Sequence, residues 1–187
     1  RHGRKKLPPH VINHHANIWG LKSIRVEAIV AINSVGSLKK AITPRSFVVP
    51  DDFIAPWSIP TFFNSEMRFT IPSIDPGLSV MLKNRCEQLG VPVTPGGVYI
   101  QTLGPRFETR AEIDLFRKHA DVVGMTMASE ATLSSECQIP YASLCCVDNY
   151  ANGIGRRPLT IEEVEANVRS NMDTVEMVIQ TLLEAGF

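Results

Sequence analysis

The chain has 187 residues, 44% of them apolar and 20% charged, which suits one globular domain long enough to bury a real core. Its 19 basic and 19 acidic side chains cancel, so no global field exists to hold nucleic acid or an anionic membrane surface, while a small anion held at one local cluster stays open. No apolar run approaches the roughly 20 residues of a membrane span, no signal-peptide pattern is read, and the four cysteines (Cys86, Cys137, Cys145 and Cys146) lack metal-site spacing, which points to reduced core thiols in a cytoplasmic protein.

The chain opens RHGRKKLPPH, charged and proline-rich where a first strand is expected, so an upstream part is expected to be missing. Residues 11–24 show helical periodicity, and VEAIVAIN (26–33) is a β-branched run typical of a buried strand. VGSLKKAITP reads as a turn and RSFVVPDDF as an extended piece. The segment 51–75, with Pro56, Pro60 and Pro72, reads as a long surface loop of the kind that serves function or subunit contacts. Residues 76–90 form a helix with Pro at its start and Gly at its end. GGVYIQTL then reads as a strand, TRAEIDLFRKHA as a helix, DVVGM as a strand, ASEATLSSEC as a helix and YASLCCVD as a strand. In the closing helix Ile161, Val164, Val168, Met172, Val175, Ile179 and Leu182 recur at helical spacing behind a Thr160/Glu163 capping box. Strands alternating with helices predict a single α/β domain with a mostly parallel sheet flanked by helices.

Ligands of such sheets bind at the carboxyl ends of the strands. That rule nominates Asn33-Ser34-Val35-Gly36, Gln101 to Glu108, Met125-Thr126 and Asp148-Asn149-Tyr150 as one pocket. A phosphate needs fixed donors, which the NSVGS glycine turn, the Thr126 hydroxyl and the Arg1-His2 pair supply. A purine needs an aromatic face and edge groups, which Phe107, Glu108 and Asn149 supply. A 6-oxopurine carries N1–H as donor and O6 as acceptor, so Glu108 accepts from N1–H and the Asn149 amide donates to O6 or N7. Adenine would leave both groups mismatched. Taken alone, each has a plainer reading: Glu108 as a solvated carboxylate near a helix start, Asn149 as an Asx turn, and the Thr109/Glu112 pair in GPRFETRAE as a capping box.

The stretches RHG…PPHVIN…ANIWGLK, AINSVGSLKK, GVYIQTLGPRFETRAE and VVGMT resemble the purine nucleoside phosphorylase and methylthioadenosine phosphorylase family, trimeric branch, in order and over nearly the whole chain. The resemblance implies a single α/β domain around a mixed sheet over residues 1–187, without the family's N-terminal strand and glycine-rich phosphate loop, assembled as a homotrimer or a dimer of trimers. It implies reversible phosphorolysis of a nucleoside to free purine and ribose 1-phosphate, with inorganic phosphate as co-substrate and no metal or organic cofactor. Arg1, His2, Ser34, Val35 and Thr126 match phosphate-contacting positions. Met125 matches the residue under the ribose, Phe107 the aromatic beside the base, and Asn33, Glu108, Asn149 and Ala151 the pattern of the 6-oxopurine enzymes. Asn149 and Glu108 are the expected catalytic pair. The substrates implied are inosine and guanosine, and 5′-methylthioinosine on account of the apolar Pro158–Ile161 region. The alternatives are an adenine-type methylthioadenosine phosphorylase and a non-catalytic purine-binding member of the family, with a hydrolytic nucleosidase third.

Overall fold

A computed structural model describes residues 2–4, 6–57 and 59–185. Arg1, one of the expected phosphate contacts, lies outside the described residues. After a 3-10 turn at Pro9–Val11, the elements run α1 (His14–Ser23), β1 (Ile29–Ser37), β2 (Phe47–Val49), β3 (Asp52–Ile54), α2 (Pro76–Gln88), β4 (Val93–Pro95) and β5 (Val98–Gln101). They continue α3 (Arg110–Phe116), β6 (Val122–Gly124), α4 (Met127–Glu136), β7 (Tyr141–Tyr150) and α5 (Ile161–Ala185). The seven strands form one sheet in the order β3-β5-β6-β1-β7-β2-β4. Four of its six pairings are parallel; β1 with β6 and β2 with β7 are antiparallel. The α/β fold with a mixed, mostly parallel sheet thus forms as expected.

β1 and β7 are the long central strands, and their β-branched and small side chains bury on both faces. The main core joins Val35, Phe47, Val48, Leu82, Tyr99, Met127, Tyr141, Leu144 and Val175; a second cluster, around Ile100, Ile113, Phe116 and Val123, holds α3 against the other face. All four cysteines are buried free thiols, and burial pushes the Cys86 thiol up to about 11.

Three expectations are corrected here. The NSVGS stretch is not a turn: β1 runs on through it to Ser37, and β7 runs on through Asn149 to Tyr150. The register between the two strands slips there, with Val35 opposite Val147 but Gly36 opposite Asn149, so Asp148 is the extra residue of a bulge. RSFVVPDDF is not one extended piece. Phe47–Val49 pairs with β4 and β7, whereas Asp52–Ile54 pairs with β5 at the far side of the sheet, which turns the start of the long loop into an edge strand. On α5 the buried face is Asn167, Asn171, Val175, Val178 and Leu182, while Ile161, Met172 and Ile179 stand exposed. The two asparagines are buried because each finds a β7 partner: the Asn167 amide donates to the Asp148 carbonyl at 2.8 Å, and the Asn171 amide to the Asp148 carboxylate at 2.6 Å.

The Thr109/Glu112 capping box is present in both directions at the start of α3, and Glu112 also takes two Arg106 hydrogen bonds of 2.8 Å. Those Arg106 bonds first, then the Thr109 backbone N–H, hold the Glu112 carboxyl down from 4.5 to about 2. A carboxyl depressed by folding adds stability above its unfolded value, and that stability drains away as pH falls through the folded one. Glu112→Ala should therefore lower the melting temperature by about 2–4 °C at pH 7, the effect of roughly 1 kcal/mol from a lost cap. Thermal unfolding followed against pH should show the gap between wild type and variant full above pH 4.5 and closing toward pH 2.

Candidate active site

A cavity of about 260 Å³ opens where β6 meets the carboxyl halves of β1 and β7. His2, Ser34, Val35, Phe107, Glu108, Met125, Thr126, Asn149 and Ala151 all line it, so the structure brings together every expected site residue except Arg1 and Asn33. Gly36 is part of the same wall because a side chain would not fit: a Cβ there would come within 3.1 Å of the Asn149 amide nitrogen. The β7 bulge and this glycine together leave room for the Asn149 side chain on the cavity side.

Asn33 is placed differently from the expectation. It is fully buried behind the wall, where its amide nitrogen donates to Thr126 Oγ1 at 2.9 Å and its amide oxygen accepts from Ser143 at 2.9 Å. A hydroxyl that accepts from behind keeps its own hydrogen for the cavity, so Asn33 sets Thr126 as a donor rather than touching a ligand itself. Thr126 is also the N-cap residue of α4, yet it spends no side-chain bond on the helix. The Tyr99 hydroxyl covers that end instead, accepting from the Thr126 and Met127 N–H groups at 3.2 and 3.3 Å. Gly124 permits this, since a Cβ there would collide with the Tyr99 ring and hydroxyl. Thr126 is thereby freed from capping and aimed at the cavity.

Glu108 is not a solvated carboxylate. It is 6% exposed, and its Oε1 accepts from the buried Thr102 hydroxyl at 2.6 Å, which leaves Oε2 for a ligand. Asn152 donates to the Glu108 carbonyl at 3.1 Å and also lines the cavity, so both the backbone and the side chain of Glu108 are held. Asn149, 6% exposed, spends one amide hydrogen on the Tyr150 carbonyl at 2.9 Å and keeps the second. Phe107 is 38% exposed and presents a ring at the mouth. His2 donates from Nδ1 to the Leu7 carbonyl at 2.6 Å, so Nε2 is the nitrogen left for other contacts. Leu159 and Val164 add an apolar stretch of wall from the start of α5 and the loop before it. Thr102 falls within the nominated Gln101 to Glu108 stretch but without a role of its own, and Asn152 escaped sequence reasoning; its only signal is position inside the DNYANG run.

The model of the Phosphorylase superfamily matches residues 1–184. The chain belongs to that superfamily. Among similar phosphorylases, a probable 6-oxopurine nucleoside phosphorylase of Archaeoglobus fulgidus is 38% identical, over 98% of this chain and 78% of that protein. A probable S-methyl-5′-thioinosine phosphorylase of Methanocaldococcus jannaschii is 40% identical, over 100% of this chain and 76% of that one. An S-methyl-5′-thioadenosine phosphorylase of Hyperthermus butylicus is 37% identical, over 98% and 69%. The methylthioadenosine phosphorylase of Schistosoma mansoni, solved with adenine, superposes with a TM-score of 0.87 at 23% identity, covering 100% of this chain and 76% of its own, which confirms the phosphorylase fold.

Proposed function

We propose that this protein catalyses the reversible phosphorolysis of 6-oxopurine nucleosides, giving free purine and ribose 1-phosphate. Relatives acting on both kinds of purine lie at nearly equal identity, so overall likeness does not choose the base. The observation that carries the choice is the pair of buried groups lining one cavity, a Glu108 carboxylate with a free oxygen and an Asn149 amide with a free hydrogen. That pair matches a base with N1–H as donor and O6 as acceptor; against adenine, the carboxylate would face the unprotonated N1.

In the proposed reaction the C1′–N9 bond breaks through an oxocarbenium-like transition state. Phosphate, held by the Thr126 hydroxyl and His2, stabilises the cationic sugar and then captures it at C1′. Charge developing on the departing purine is met by the Asn149 amide, while Glu108 holds the N1–H edge; both act more strongly on the transition state than on the substrate. Phe107 stacks beside the base and Met125 packs under the sugar. The apolar Leu159 and Val164 suit a 5′-methylthio group, so 5′-methylthioinosine joins inosine and guanosine as a substrate. No step needs a metal or an organic cofactor. Met67, Phe69 and Ile71 are 91%, 87% and 93% exposed on the long loop, a cost best relieved by a second copy of the chain, in line with a homo-oligomer.

Incubating the full chain with inosine in the presence and absence of phosphate tests the reaction class. Hypoxanthine and ribose 1-phosphate should appear only with phosphate. Release of free ribose without phosphate would make it a hydrolase, and hypoxanthine binding without turnover would make it a purine-binding member of the family.

A further inference from the structure

Two hydroxyls line the cavity, and their surroundings set them in opposite senses. Thr126 accepts from Asn33, so its hydrogen faces the cavity. Ser34 instead donates its one hydrogen to Oδ2 of Asp148, whose other oxygen accepts from Asn171 at 2.6 Å. Asp148 is 1% exposed and sits on the β7 bulge, and it is fixed from α5 on both sides: Arg45 donates to Asn167 Oδ1 at 3.0 Å, and that orients the Asn167 amide to donate to the Asp148 carbonyl. Burial pushes the Asp148 carboxyl up while the Ser34 and Asn171 donors pull it down, and in its ionised form it can only accept.

We propose that Asp148 is a positioning residue that turns Ser34 into an acceptor facing the cavity, so that Ser34 binds a hydroxyl of the substrate's sugar and leaves the phosphate to Thr126. The proposal rests on the nucleoside phosphorylase reading above. A hydroxyl whose hydrogen is committed elsewhere offers only lone pairs, which repel a phosphate oxygen and attract a sugar O–H. The division of labour between the two hydroxyls follows from their partners alone.

Asp148→Asn tests this because it reverses the polarity with almost no change in shape. The Asn171 donor keeps the new amide's oxygen on its side, so the amide nitrogen faces Ser34 and donates to it, which sends the serine hydrogen into the cavity. Rates for inosine, 2′-deoxyinosine and 3′-deoxyinosine should then show the wild-type preference for inosine over one of the two deoxy substrates reduced about tenfold, the effect of one hydrogen bond. The KM for phosphate should fall at the same time, whereas Ser34→Ala should lose the same preference without any gain for phosphate. Unchanged preference against both deoxy substrates, or nucleoside and phosphate KM values rising together, would overturn the proposal. The Asp148 carboxyl signal in carbon NMR gives a readout independent of turnover: Ser34→Ala removes a donor to the carboxylate and should move its titration upward. A titration that does not move shows that the bond is absent and refutes the polarity argument, whatever becomes of the phosphorylase reading.

Discussion

Glu108→Ala should lower kcat/KM for inosine by roughly 100- to 1,000-fold, because it removes a charged acceptor from the substrate's N1–H and strands the Thr102 hydroxyl that now donates to it at 2.6 Å. The same change should move the rate with methylthioadenosine by only a few fold, since adenine N1 has no hydrogen to give the carboxylate. The two effects are read from steady-state kinetics on one protein preparation. A loss of stability alone would reduce both rates together, so the ratio of the two substrates, not either rate, carries the result. Glu108 lies before the first turn of α3, outside the hydrogen bonds of the Thr109/Glu112 box, and the helix should survive the substitution.

Asn149→Ala should act on the chemical step instead. Removing a donor aimed at charge that appears only in the transition state costs about 100- to 1,000-fold in kcat. KM for phosphate should change little, because Thr126 and His2 stand elsewhere in the chain and are held by Asn33 and the Leu7 carbonyl, while the Asn149 amide bonds to the Tyr150 carbonyl; single-turnover and steady-state rates with inosine check both points. Asn149→Asp replaces the donor with an acceptor. It should depress inosine cleavage as strongly while raising the relative rate with methylthioadenosine, whose 6-amino group donates.

The sequence exposed much of this site because the residues that touch a ligand carry unusual groups at strand ends: a second carboxylate after a Gly-Pro turn, an Asn after an apolar run, a Thr before a helix. The residues behind them were not legible in the same way. Asn33 reads as a ligand contact from its place at a strand end and from the family resemblance; burial at 0% exposure and the bond to Thr126 place it one layer back. Alternation along β1 puts Asn33 and Ser34 on opposite faces, whereas a strand ending at Asn33 and passing into an NSVGS glycine turn carries no such alternation. Asn167 and Asn171 were invisible for a different reason. A hydrophobic stripe counts only apolar residues, so a helix face that buries two amides against a strand is read as shifted by part of a turn, and Ile161, Met172 and Ile179 were assigned inward. β4 is hard to read because Pro92 precedes and Pro95 ends a strand only three residues long, and proline argues against strands except at edges, which is where β4 lies.

The fold followed more directly from the chain. β-branched runs of five to eight residues between helical segments require a covered, largely parallel sheet, whatever the details at their ends. What patterning could not supply was the bulge at Val35–Gly36, since one extra residue in β7 leaves the hydrophobic pattern of a doubly buried strand unchanged. Yet that extra residue is Asp148, and it puts Asn149 at the cavity and Asp148 beneath Ser34.

The central claim is that Glu108 and Asn149 select a 6-oxopurine. Its most direct measurement is a competition: equal 5′-methylthioinosine and 5′-methylthioadenosine in one reaction with phosphate, the two free bases followed by chromatography. The sugars are identical, so the ratio of initial rates reports the base alone. Hypoxanthine should be released at least 100-fold faster than adenine, the discrimination expected of a site whose buried polar groups fit one base edge and not the other. Adenine released at an equal or greater rate would contradict the account.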